Sequence, residues 1–153
     1  MKFFNPKRII IMIGFAVILL LALFSVKGKQ STEMPDQSTL SDNALAICGE
    51  KPNCVSSFQD NKDSHYIEPQ LVETFNTELI NKTVLDLNCT PVQSEPNYLY
   101  FKCISHVFQF VDDLELLYNE DQSTIYFRSS SRVGHSDLGA NRSRVEKIRA
   151  TLK

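Results

Sequence analysis

The chain has 153 residues, with 16 basic and 18 acidic side chains and a formal net charge of −2, room for one modest domain plus a targeting element. Lys2, Lys7 and Arg8 precede the first apolar run, so from Lys27 onward 13 basic residues stand against 18 acidic ones, a balance of −5. An acidic domain lacks the basic face that replaces phosphate counterions, which argues against nucleic acid as a partner.

Residues 1–8 form a short basic N-terminus, and Ile9 to Val26 follow as 18 residues without a charge. About 20 apolar residues cross a hydrocarbon core of ~30 Å, so residues 9–26 read as one transmembrane helix. The basic residues before the run outnumber Lys27 and Lys29 after it, which predicts a cytoplasmic N-terminus and an exported C-terminal domain. A cleaved signal peptide is the competing reading. No clean Ala-x-Ala site follows the run, Val26-Lys27-Gly28 is a weak substitute, and no Cys ends the run to carry a lipid. The uncleaved anchor is therefore preferred, with cleavage as the alternative.

Residues 27–46 are polar, with scattered small residues and one Pro, and read as a flexible tether spanning roughly 25 Å on average. A globular domain is expected over residues 47–153, small enough to need staples. Cys48, Cys54, Cys89 and Cys103 supply two in an oxidising compartment, and four cysteines allow three pairings. Locality favours Cys48 with Cys54 and Cys89 with Cys103. The spacing lacks the Cys-x-x-Cys knuckles of a zinc site, so no metal is assigned to these residues.

The segment from Pro52 to Gln70 reads as irregular. Ser56 and Ser57 lack a Gly-x-Ser-x-Gly elbow and are read as turn or cap residues. Pro69 is expected to open a helix, because Leu71, Val72, Phe75 and Leu79 recur at helical spacing. Val84 to Leu87 reads as a short strand and Pro91 to Asn97 as a connector. Tyr98–Val107, Phe108–Tyr118 and Ser123–Ser129 are dense in aromatic and β-branched residues, as strands are, with a hairpin turn over Asn119–Gln122. A final helix is expected after Gly139, burying Val145, Ile148 and Leu152, capped by Ser143 with Glu146 or by Asn141. Arg142, Arg144, Lys147 and Arg149 read first as a solvated helix face, with a basic edge that could meet an anionic partner or lipid headgroups as the alternative. The resulting fold class is α+β: a small antiparallel sheet of three to five strands covered by two helices, preceded by the transmembrane helix.

CGEKPNCVSS at Cys48–Ser57, FQFVDDLELL at Phe108–Leu117 and RSSSRVGHSDLGANRSRVEKIR at Arg128–Arg149 together resemble the family of domains of unknown function numbered 1499, over roughly Ile47 to Lys153. The resemblance implies a bacterial or plastid-type protein, often with a membrane or export segment, and supplies no activity, substrate or cofactor. Together with the apolar run and its flanking charges, this leads to the expectation of a bacterial inner-membrane protein with its domain in the periplasm or outside, export after signal-peptide cleavage being the alternative. Family members often carry an aromatic at the place of His135, which argues against His135 as a catalyst or ligand.

Three readings fit the polar block from Arg128 to Arg142. Arg128, Arg132 and Arg142 can converge with the hydroxyls of Ser129, Ser130 and Ser131 on an anion, because guanidinium forks match carboxylate and phosphate oxygens. Asp112, Asp113, Glu115 and Asp137 can gather around a hard cation. In the third and preferred reading, Arg132 pairs with Asp112 or Asp137, Gly134 and Gly139 adopt backbone angles closed to other residues, and Asn141 belongs to a lock joining strand to helix. Asp112 and Asp113 are adjacent on a strand, point to opposite faces, and do not make one acid–base dyad. The Asn-x-Ser/Thr triplets at Asn81, Asn88 and Asn141 are weak glycosylation signals. No cofactor-binding motif appears. The functional expectation is a non-catalytic binding or structural module of the envelope, with the membrane and a protein or anionic ligand as partners; an uncharacterised enzyme is the alternative.

Overall fold

A computed structural model describes residues 6–153; residues 1–5 of the expected cytoplasmic N-terminus lie outside the described residues. The apolar run forms α1 (Pro6–Glu33), a helix long and apolar enough to cross a membrane, with a mean hydropathy of 3.1 over its most apolar window and none of that window buried by the rest of the chain. The remaining elements are β1 (Cys54–Ser56), β2 (Gln70–Leu71), α2 (Thr77–Asp86), β3 (Cys89–Glu95), β4 (Tyr98–Ile104), β5 (Val111–Asn119), β6 (Thr124–Ser131) and α3 (Ala140–Thr151). All sheet pairings are antiparallel, in the order β1-β6-β5-β4-β3, with the two-residue β2 added along β6. The expected α+β architecture is present.

Period-two alternation sorts β4, β5 and β6 into two faces. Leu99, Phe101 and Cys103 of β4, Leu114 and Leu116 of β5, and Ile125 and Phe127 of β6 form one apolar cluster with Ile80 and Val84 of α2 and Val145 and Ile148 of α3. The opposite face carries Tyr98 and Tyr100, which cluster with Leu117 and with Leu45 from the segment after α1. Disulfides join Cys48 to Cys54 and Cys89 to Cys103, the local pairing favoured by the sequence. The second staples β3 to β4 at directly opposed positions.

Several boundaries differ from the sequence reading. No helix opens at Pro69: Gln70–Leu71 is extended against β6, and Leu71 is 72 % exposed. The helix starts only after Asn76, whose side-chain oxygen accepts the Leu79 N–H at 2.9 Å, and it absorbs most of the stretch read as a strand at Val84–Leu87. Pro91–Glu95, read as a connector, belongs to β3. That strand lies at the sheet edge, where a missing proline N–H leaves no ladder bond unmade on the solvent side, and it carries a register shift between Pro91 and Gln93. Neither Ser143 nor Asn141 caps α3. Gly139 occupies the cap position with φ 82°, and the Asp137 carboxylate accepts the N–H groups of Gly139 (3.1 Å) and Asn141 (2.7 Å).

The largest difference concerns residues 27–46. Helix α1 runs on through Glu33, and residues 34–46 lie as a strap across the tyrosine-bearing face of the sheet. Gln37 N–H donates to the Tyr100 hydroxyl at 3.1 Å, and Ser38 shares a 2.7 Å hydrogen bond with the Tyr98 hydroxyl. Ser41 and Ala44 bridge across a tight turn in which Asp42 and Asn43 both have positive φ, and Leu45 is then buried against Tyr98, Tyr100 and Leu117. Such turns suit Asp and Asn, which tolerate the left-handed region better than most residues. The segment is polar yet ordered, because its polar groups meet partners on the sheet.

Candidate functional site

The alternation that builds the core also decides where the nominated residues go. Arg128, Ser130 and Arg132 point to the strap side of β6, while Ser129 and Ser131 point toward α3. Asp113 and Glu115 share the strap side, and Asp112 lies on the helix side with Arg144. Asp112 and Asp113 therefore face apart, as their adjacency requires. The three arginines of the anion reading do not converge, because Arg142 leaves α3 to donate to the backbone carbonyls of Ser64 (2.7 Å) and Tyr66 (2.8 Å).

On the strap side, Glu115 is fully buried. Its Oε1 accepts Thr39 N–H and the Tyr98 hydroxyl, both at 2.7 Å; its Oε2 accepts the Thr39 hydroxyl at 2.7 Å and an Arg128 Nη at 3.1 Å. A carboxylate offers about four lone-pair sites, so this one has none left for a ligand. Next to it, Arg132 donates to both oxygens of Asp113 at 2.6–3.1 Å, to Asp36 at 2.6 Å and to the Met34 carbonyl at 2.7 Å. The expected partners Asp112 and Asp137 are not the ones Arg132 takes: strand alternation aims it at Asp113, and the strap brings Asp36. Burial alone would lower the Arg132 pKa, but hydrogen bonds to Asp113 and Asp36 outweigh it and hold the guanidinium more firmly charged than usual. Asp36 is lowered below the ordinary carboxylate range, chiefly by its hydrogen bond from Arg132. Burial raises the Tyr100 hydroxyl above its ordinary 10.0, with the Asp113 hydrogen bond next in size, so it stays a donor to Asp113. Ser130 sits between the two arginines, in register with Asp113 on one side and Cys54 on the other.

On the helix side the hub is Asn141, in the first turn of α3 and fully buried. Its Oδ1 accepts the Ser129 hydroxyl and an Arg144 Nη, both at 2.6 Å, and its Nδ2 donates to the Asn53 carbonyl and to Ser131 Oγ, both at 3.0 Å. Arg144 continues to Asp112 at 2.7 Å. Asn141 is thus inaccessible as a glycosylation acceptor in the folded chain. The glycines behave as expected, with φ 92° at Gly134 and 82° at Gly139. The basic edge of α3 is largely engaged inward: besides Arg142 and Arg144, Arg149 bridges Glu68 and Glu146, each at 2.9 Å.

The acidic residues of the cation reading are distributed over both faces, and among the described residues no group of three or more His, Cys, Asp or Glu side chains is arranged to hold a metal ion. Ser56 and Ser57 are buried and structural: Ser56 Oγ donates to the Ala46 carbonyl, and Ser57 Oγ accepts the Phe127 N–H. His65 Nδ1 lies 2.7 Å from Asp63, beside a cleft of about 150 Å³ lined by Ser64, His65, Asp137 and Arg142. Asp63 is pulled from 3.8 to about 2, first by the His65 N–H, then by Gln59 and the His65 ring. The spacing Asp-x-His on a turn was the available signal; Arg142 reaches the same loop and ties it to α3.

The family described as a protein of unknown function (DUF1499) matches residues 44–152. No curated protein and no solved structure matches the chain. The matched segment takes in both disulfides, the whole sheet, α2, α3 and the Asn141 network, while α1 and most of the strap lie before it. The chain belongs to the DUF1499 family.

Proposed function

We propose that the chain is a single-pass membrane protein, N-terminus inside, whose exported domain is a non-catalytic binding or structural module of the envelope. The observation that supports the non-catalytic part is internal pairing: Asp112, Asp113 and Glu115 are each held by an arginine, and Asp137 accepts two backbone N–H groups at the start of α3. Groups used for acid–base or ligand chemistry need a free lone pair or an exchangeable partner, and these have internal ones. Export is supported by two disulfides, which persist in oxidising compartments, together with the surplus of Lys and Arg before the apolar run.

Topology and redox state test the placement together. Spheroplasts bearing the full chain are treated with protease from outside, and thiols are blocked before and after reduction. Digestion of the domain, with four thiols appearing only after reduction, is the expected result. A protected domain, or thiols that react without reductant, contradicts the reading. Alternatively, the same Arg/Ser/Asp block serves an enzyme or an anion- or cation-binding site. Calcium or phosphate that raises the melting midpoint of the full chain, with the rise abolished by Arg132→Ala or Asp113→Asn, would favour that alternative.

A further inference from the structure

The apolar run ends at Val26, but α1 does not end there, and its last two turns are built into the domain. They pack on the loop at residues 105–110, which joins β4 to β5. A side chain at Gly28 would place its Cβ 1.5 Å from the Phe108 carbonyl oxygen, so only glycine lets helix and loop approach this closely. One turn on, Ser31 is fully buried; its hydroxyl accepts the Val111 N–H at 3.1 Å and donates to the Gly28 carbonyl at 2.6 Å. Toward the membrane, the Phe24 ring lies 5.1 Å from that of Phe108 and 6.3 Å from that of Phe110.

These contacts fix the loop's depth. Phe24 is two residues inside the apolar run, about 3 Å deeper than Val26 at 1.5 Å rise per residue. A loop whose phenylalanine rings pack against Phe24 therefore reaches the level of the last apolar turn of α1. At its tip, Val107 is 78 % exposed, with exposed His106 before it. The loop sequence Ser105-His106-Val107-Phe108-Gln109-Phe110 contains no acidic residue, and the adjacent helix carries Lys27 and Lys29. Apolar and aromatic side chains beside lysines, at the end of a spanning helix, have the composition of a membrane–water interface.

We propose that the β4–β5 loop is a second membrane contact: Val107 and Phe108 insert into the outer leaflet beside α1, and the bilayer surface fixes the orientation of the domain. This rests on the reading of α1 as a membrane span. The domain is then held against the lipid by helix and loop together, with one edge of the sheet's β4–β5 end facing headgroups and the cleft near His65 carried at a set height above them.

The test uses the full chain in phosphatidylcholine–phosphatidylglycerol vesicles. A thiol-reactive, environment-sensitive fluorophore is placed by V107C, with L138C and F15C as references; the native cysteines stay in their disulfides without reductant. Leu138 is 96 % exposed on the turn before α3 and Phe15 is exposed within the apolar run, so the labels leave the core intact. The expected result at 107 is blue-shifted emission, strong quenching by lipids with a nitroxide near the headgroup, and iodide quenching several-fold weaker than at 138. Iodide quenching at 107 equal to that at 138, with 15 quenched by lipid, overturns the loop contact while leaving the span standing. Absence of lipid quenching at 15 overturns both. Shielding of 107 from iodide and lipid alike overturns it in favour of a second copy of the chain at this site.

Discussion

The two faces of one sheet are closed in different ways. Toward α2 and α3 the closure is apolar: Leu114, Leu116, Ile125, Phe127, Ile80 and Ile148 are all fully buried and pack side chain on side chain. Toward the strap it is polar, resting on Glu115 with Thr39, Tyr98 and Arg128, and on Arg132 with Asp113 and Asp36. The first kind of closure is non-directional and tolerant of small shifts. The second depends on complete pairing, because a buried charge that loses its partner keeps its desolvation cost.

The contrast is most sharply broken by truncation on each side. Phe127→Ala should lower the unfolding free energy by about 3–5 kcal/mol through the cavity it leaves. Glu115→Ala should cost a similar amount, about 3–5 kcal/mol, by stranding Arg128 among buried groups. The two differ in repair. Combining Glu115→Leu with Arg128→Met should recover most of that loss, since well-packed apolar replacements of a buried ion pair are often neutral or stabilising. Denaturant midpoints of the full chain in detergent check all three variants.

At the next size down, Asn141→Ala removes four hydrogen bonds on the helix side and should cost about 1–3 kcal/mol by leaving buried groups unpaired. Acid should loosen the strap before the core. Asp36 has a folded pKa below its ordinary 3.8, so the stability it contributes is present above about pH 4 and is lost as pH falls through the lowered value. Asp63, at about 2, acts in the same direction on its own loop over the window from about pH 4 to pH 2. Asp36→Asn should flatten the acid limb of a stability–pH curve, whereas unchanged steepness would mean that the strap carries none of it. Smallest of all, Leu138→Ser should stay within about 0.5 kcal/mol of the parent, as substitutions of exposed residues do.

What the sequence made legible follows the same division. The β4–β5–β6 meander, the helix after Gly139 and the local cysteine pairing were readable, because periodicity and aromatic density report apolar burial directly. The opposite facing of Asp112 and Asp113 followed from strand geometry alone. The start of α2 was misread because Leu71, Val72 and Phe75 happen to keep helical spacing through an extended pair and a turn, and only the Asn76 cap marks the true beginning. Edge strand β3 was hidden by Pro91 and by its exposed side chains. The strap was hidden most completely, since its composition is that of a solvated linker. Its signal lay in the partner: Tyr98 and Tyr100, Asp113 and Glu115, and Arg128, Ser130 and Arg132 recur every second residue on one face, and a sheet face that polar needs a polar cover. Arg132 meets Asp113 and Asp36 rather than Asp112 or Asp137, because alternation along β6 turns it to the strap side and Asp36 is distant in sequence.

The strap belongs to the folded unit and consumes the charges that looked like a site. Hydrogen exchange of the full chain in lipid nanodiscs, read at the Thr39 amide that donates to Glu115, tests this most directly. Protection comparable to the β5 amides, lost in Glu115→Ala while Val145 and Ile148 stay protected, is the expected result. Exchange at Thr39 as fast as in an open chain would contradict the claim, returning residues 34–46 to a loose tether and exposing the Glu115–Arg132 face as a candidate site.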